Sequence, residues 1–316
     1  MEHRKLTRYL ISLMMILIMV GLAEWTNEKE ILFPEMTALI IGLLIIDKRV
    51  WNVKRWQIIL LMTLGAVAGI CIVRYSPLPY VVNLCAAFVF AGASLLISRA
   101  TLIPLISACV LPVLLHTESI IYPIAVFSMS VSVVLVQIIL EKCGIRNRMP
   151  KSVGRKPGKE DIIRWLILFC FVGALAGLAV SMDYPYLILP PLMVTFVEMV
   201  NSKAGFKNRP TQVFLFLATA ATLGTVLQIV GHHHLHLPES IIALTIAAIL
   251  FLIFEWTGKY FAPAGALAFI PMLLPQEGLG WLPLEASIGA ALFITIAMVV
   301  FQKCYKWNRA QLIFCA

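Results

Sequence analysis

Apolar runs nearly free of charge recur along the whole chain, at residues 9–23, 31–46, 57–73, 80–98, 101–116 and 120–140, then 164–182, 186–200, 211–230, 239–257, 261–275 and 284–301. Few folds admit such runs. In hydrocarbon every backbone N–H and C=O must find a partner inside the protein, which leaves helices or closed barrels. Runs of about 15 to 20 residues without strict alternation are helical. Composition agrees, with 13% charged residues against about a quarter in soluble domains. The expected fold class is all-α, a polytopic membrane protein with about 12 transmembrane helices.

A net charge of +9 raises the question of nucleic acid, and the placement of the charge excludes it. With those crossings, all but Lys29 and Arg74 of the 25 Lys and Arg fall on one side of the membrane, including Arg4, Arg8, Lys54, Arg55, Arg99, Lys142 to Arg164, Lys203 and Lys259. Glu24, Glu28, Glu30, Glu118, Asp183, Glu239, Glu277 and Glu285 gather on the other side. This is the positive-inside pattern, so both termini are expected in the cytoplasm of a multi-pass cell-membrane protein. Folding residues 101–116 back as a re-entrant loop would turn the basic linker outward, so that run is expected to cross.

The chain is also expected to be duplicated. Pro34 is matched by Pro190, Gly69 by Gly224, Pro79 by Pro238, and EKCGIRNR from Glu141 by QKCYKWNR from Gln302. Residues 1–148 form a first six-helix repeat, 149–163 a cytoplasmic linker, and 164–316 a second six-helix repeat. An even number of crossings per half makes the repeats parallel. The N-terminal stretch has the form of a signal peptide, but Arg8, Gly21, Leu22 and Ala23 recur as Arg164, Gly177, Leu178 and Ala179, so a cleaved leader is not expected. Seven Cys without CxxC spacing predict neither a disulfide framework nor a structural zinc site.

Two runs are broken by proline. FAPAGALAFIPMLLP, from Phe261, carries Pro263, Gly265, Pro271 and Pro275, and IPLISACVLPVLLH carries Pro104 and Pro112 at matching places. Paired interruptions in two halves point to a transporter's binding region. The groups they free must face protein or a wet cavity. The expected substrate pathway comprises Pro104, Ser107, Pro112, Pro263, Gly265 and Pro271, with Glu198 as an ionisable residue inside a run. Thr222 and Thr225 join it from a polar stripe, Thr219, Thr222, Thr225 and Gln228. Glu35 follows Pro34 at a helix start and is explained there by the helix dipole. Gly65 with Gly69, Ala220 with Gly224, and Gly173 with Gly177 have the small-residue spacing of packed membrane helices. His232, His233, His234 and His236 stand on an expected outer loop as weak metal candidates beside a plain polar reading; no metal or other cofactor is expected.

The second half, over roughly residues 186–302, resembles the HPP family of integral membrane proteins, whose motif continues as HPPAGATA. The matching residues are Phe261, Ala262, Pro263, Ala264, Gly265, Ala266, Leu267 and Ala268, followed by LGWLPLEASIGAALFITIAMVVFQ. Phe261 and Ala262 stand where the family has His and Pro. Relatives of that family are implicated in nitrite transport, so the resemblance implies a small anion. A second likeness, to fusaric-acid-resistance exporters, lies in ILFPEMTALIIGLLI and RWQIILLMTLGAVAG.

The function expected is a transporter or permease-like protein for a small solute, with the bilayer and a small molecule or anion as partners and no nucleic acid. An intramembrane enzyme and a non-transporting membrane subunit are the alternatives. Substrate and oligomeric state are not legible here.

Overall fold

A computed structural model describes residues 2–149, 157–201 and 209–304; residues 150–156 of the expected linker lie outside the described residues. Among them there is no strand. Eight helices are long and apolar enough to cross a membrane. They are α1 (Glu2–Thr26), α3 (Arg55–Tyr75), α4 (Tyr80–Ser98), α6 (Ile121–Lys142), α7 (Lys159–Ser181), α9 (Pro210–Leu227), α10 (Glu239–Thr257) and α13 (Leu282–Ile296). The last turns of α9 and α13 continue as π-helix, through His234 and Cys304 respectively. Each long helix buries one face only. On α1 the residues Leu6, Leu10, Met14, Ile18 and Leu22, spaced four apart, form an exposed apolar stripe suited to lipid, while Ile16, Met19, Val20 and Ala23 are buried.

Between them stand four shorter helices: α2 (Pro34–Ile40), extended by π-helical turns at Ile41–Ile45, α5 (Leu105–Leu115), α8 (Pro190–Asn201) and α11 (Ala262–Phe269), extended by 3-10 turns at Ile270–Leu273. A four-residue α12 (Gln276–Leu279) follows. Twelve helical residues rise only about 18 Å, short of the roughly 30 Å of hydrocarbon. The short helices are buried nearly all round: every residue of α2 and α11, Pro190 to Val200 of α8, and Leu105 to Val113 of α5. Sequence dictates where they begin. Proline at the first turn fits a helix start, and the residue before it is held extended, as at Phe33 and Leu189.

Three of the short helices begin and end near the two ends of a long one. The Ala23 carbonyl accepts the amide of Glu28 at 3.0 Å, and Arg8, fifteen residues earlier on α1, pairs with Asp47 beyond α2, so residues 28–47 retrace α1. Thr101 donates to the Asn52 carbonyl at 3.2 Å before α3 begins, and Arg74 Nε to the Glu118 carbonyl at 2.7 Å where α3 ends, so α5 follows α3. The Tyr184 amide bonds the Ala179 carbonyl (2.9 Å) and Arg164 bonds Asn201 (3.3 Å), so the segment carrying α8 starts near the end of α7 and finishes near its beginning.

Glycines make these contacts close. A Cβ built on Gly69 would lie 2.4 Å from the Cys109 carbonyl oxygen and 3.0 Å from Pro112; on Gly224 it would lie 2.1 Å from the Ala268 carbonyl oxygen and 3.1 Å from Pro271. The small-residue spacing at Gly173 and Gly177 works differently from expectation. Gly177 has nothing within 4 Å, and Gly173 meets only Cys85 Sγ, at 3.4 Å.

One end of the bundle holds a polar network. Glu141, on α6, accepts from Arg55, Gln137 and Arg146, and the fully buried Arg146 side chain also donates to the Ile46 carbonyl at 2.7 Å. Lys5, Tyr9 and Tyr260 converge on Glu255. We call this the basic end.

Candidate functional site

The four short helices meet inside the bundle. Glu35 and Ala38 of α2, Pro104 and Ser107 of α5, Pro191, Val194 and Glu198 of α8, and Ala262, Pro263 and Ala266 of α11 line a void of about 10 Å³. Across the two halves α2 packs on α11 and α5 on α8. Contact between α2 and α11 is close because position 265 is glycine: a Cβ there would lie 2.4 Å from Ile41 and 3.2 Å from Thr37.

Glu35 is 1% exposed, and its carboxylate has no closed side-chain hydrogen bond, the Ser107 hydroxyl being the polar side chain nearest to forming one. Ser107 Oγ and Thr37 Oγ1 are fully buried as well. Glu198 is 9% exposed and accepts from Trp51 Nε1 at 3.3 Å. Trp51 belongs to the segment between α2 and α3 at the basic end, and its ring lies against Gly42.

Toward the opposite end a second cavity, of about 400 Å³, is bordered by Lys29, Glu30 and Leu32 leading into α2, Pro185 and Tyr186 leading into α8, Pro112, Leu115 and Thr117 at the end of α5, and Leu273 to Pro275 after α11. Its volume is in the range of small-molecule sites. Tyr122 of α6 links the two cavities. It lines the larger one, and its hydroxyl donates to the Ala108 carbonyl at 3.1 Å, next to Ser107. Pro112 explains that bond. Proline has no N–H, so the carbonyl four residues earlier loses its helical partner, and Tyr122 supplies one.

The structure brings together Pro104, Ser107, Glu198 and Pro263 on the void, with Gly265 and Pro271 on the packing faces of α11 and Pro112 on the larger cavity. Thr225 is buried on α9. Thr222 turns away: it is exposed on the outer face of α9, with its hydroxyl on the Ala218 carbonyl at 2.8 Å. A three-residue repeat drifts around a helix, so the stripe splits, with Thr219 also exposed and Gln228 buried beside Glu239. The histidines expected on a loop instead form the last π-helical turns after α9, from His232 to His234. His232 lies 3.8 Å from Glu239, and among the described residues no group of three His, Cys, Asp or Glu side chains could hold a metal ion.

Two residues of the site carried weak signals in the sequence, and two carried none. Lys29 was visible as an exception to the charge rule, Glu35 as an acid in an apolar run, and Tyr122 and Trp51 not at all. No protein-family model, curated protein or solved structure matches the chain.

Proposed function

We propose that the protein carries a small solute across a membrane, from the 400 Å³ vestibule through the centre where the four short helices meet. The observation that carries this reading is that Tyr122 touches both cavities: it lines the 400 Å³ vestibule and bonds the Ala108 carbonyl, next to Ser107 of the void that holds the buried Glu35 carboxylate. Folds that only need to be stable do not place four undersized helices and an acid at the centre of an apolar bundle. Short, interrupted helices at the bundle centre are a common way to build a transport site.

On this reading the chain makes twelve crossings in two parallel six-helix repeats. Support comes from the order of helices, long–short–long–long–short–long in each half, and from paired contacts. Gly69 meets Pro112 as Gly224 meets Pro271, and α2 packs on α11 as α8 packs on α5. The basic end is then cytoplasmic, with both termini, and the vestibule opens outward. Lys29 on the vestibule wall, together with the HPP resemblance around Pro263, favours a small anion as the substrate class.

The test is uptake by proteoliposomes from a panel of small inorganic anions and short organic acids. Accumulation of one class well above empty liposomes is expected, and background-level flux for all of them refutes the transport reading.

A further inference from the structure

We infer that Glu35 is a proton-binding residue at the centre of the pathway, with Glu198 as the second acid of the same void. Calling the proton coupled to solute rests on the transport reading; the proton site does not. Glu35 is enclosed, its carboxylate has no charged partner and no closed side-chain hydrogen bond, and the hydroxyl beside it on the void is Ser107 Oγ. A bare carboxylate in such a place is strongly disfavoured unless something neutralises it. What can enter is limited by space. About 10 Å³ holds one water at most, too little for a hydrated ion. A dehydrated metal cation needs about six oxygen ligands, whereas the rest of the lining is alanine, proline and valine. A proton needs only one acceptor, and Ser107 Oγ stands ready to take the hydrogen bond of the resulting acid.

The surroundings leave Glu35 without a fixed counter-charge. Tyr122 faces it from α6, Cys109 is the titratable group of α5 nearest Tyr122, and Glu198 comes from α8. The α11 lining is apolar. The charged groups of α1 nearest α2 lie at its ends and are engaged, Arg8 with Asp47 and Glu24 with the amides of Glu239 and Ser240. Among the described residues no Lys or Arg lines the void. Binding is a simple protonation, carboxylate plus proton to carboxylic acid, with release by the reverse step.

Infrared spectroscopy of the purified protein in lipid tests this without knowledge of the solute. The wild-type spectrum minus that of Glu35→Gln is expected to contain a carboxylic-acid carbonyl band, retained in Glu118→Gln and shifted in Glu35→Asp, which also serves if the glutamine variant fails to fold. Carboxylate bands alone in the wild-type-minus-Glu35→Gln difference, at every pH down to the stability limit, overturn the proposal. So does a carbonyl band that disappears on adding sodium at constant pH, since that would make the site a cation site. If the uptake panel identifies a solute, wild-type accumulation is expected to follow an imposed pH gradient and Glu35→Gln to lose that dependence at least tenfold; equal pH-driven accumulation overturns coupling. A panel that finds no solute, with the infrared band present, refutes transport and not the proton site.

Discussion

The bond from Tyr122 to Ala108 offers a sharp test of how the proline break is accommodated. Tyr122 is 3% exposed and its hydroxyl donates at 3.1 Å to a carbonyl that Pro112 has deprived of its helical donor. Tyr122→Phe removes that donor and leaves a buried acceptor unsatisfied, at a cost of about 1–3 kcal/mol. Pro112→Ala restores an N–H four residues beyond Ala108, so in that background the carbonyl keeps a partner and Tyr122→Phe costs about 0.5 kcal/mol or less. Pro112→Ala alone has opposing parts: alanine is a better helix former by about 3 kcal/mol, but the ring that packs on Gly69 is lost. The double-mutant cycle removes those parts and isolates a coupling of about 1–2 kcal/mol. Unfolding of the purified protein by SDS titration in mixed micelles, followed by tryptophan fluorescence, measures all four corners. An equal cost of Tyr122→Phe in both backgrounds refutes the argument that the tyrosine substitutes for the missing amide.

Gly224→Ala is expected to destabilise by about 1–3 kcal/mol, because its Cβ would lie 2.1 Å from the Ala268 carbonyl oxygen, whereas Gly177→Ala, with open space, is expected to stabilise by about 0.5–1 kcal/mol; melting temperatures of the two variants check the contrast. Glu141→Leu leaves the fully buried Arg146 without its carboxylate and is expected to cost about 3–5 kcal/mol in the same SDS titration. For any anion taken up in the liposome panel, Lys29→Gln is expected to raise KM severalfold with unchanged melting temperature, as the loss of a vestibule cation requires. In a background with the native cysteines replaced, a membrane-impermeant thiol reagent on intact cells is expected to label Pro77→Cys and to leave Asn52→Cys unlabelled; the opposite result rejects the twelve-crossing path.

The long helices were legible because their signal is local. An apolar run of sufficient length leaves its backbone only one way to be satisfied in lipid, and the eight long spans coincide with eight of the expected runs. The breaks in α5 and α11 were legible for the same reason, since proline acts on its own turn. That α2 and α8 would be wholly enclosed was not legible. An apolar residue facing lipid and one facing another helix look alike in sequence, so Leu39 and Leu10 carry the same signal and have opposite environments. The threonine stripe failed on geometry: three residues advance 300° on a helix, so Thr222 and Thr225 cannot share a face with all their neighbours.

The two acids of the void stand at unmatched positions of the proposed duplication. Counting by the shift that relates Pro34 to Pro190, Glu35 corresponds to Pro191 and Glu198 to Gly42. Glu198 therefore lies seven residues, about 10 Å, further along its helix than the position matching Glu35, toward the basic end. Trp51 accounts for the difference. A Cβ at Gly42 would lie 2.4 Å from its ring, so no acid fits there, while its indole N–H bonds Glu198 at the corresponding place in the other half. One tryptophan thus fills one of two matching positions and holds the acid at the other. Glu35 obeys a local rule whether or not it is exposed, since an acid belongs at a helix start. Only the packing of α5, α8 and α11 over that start separates an ordinary helix-capping acid from a buried group that must bind something.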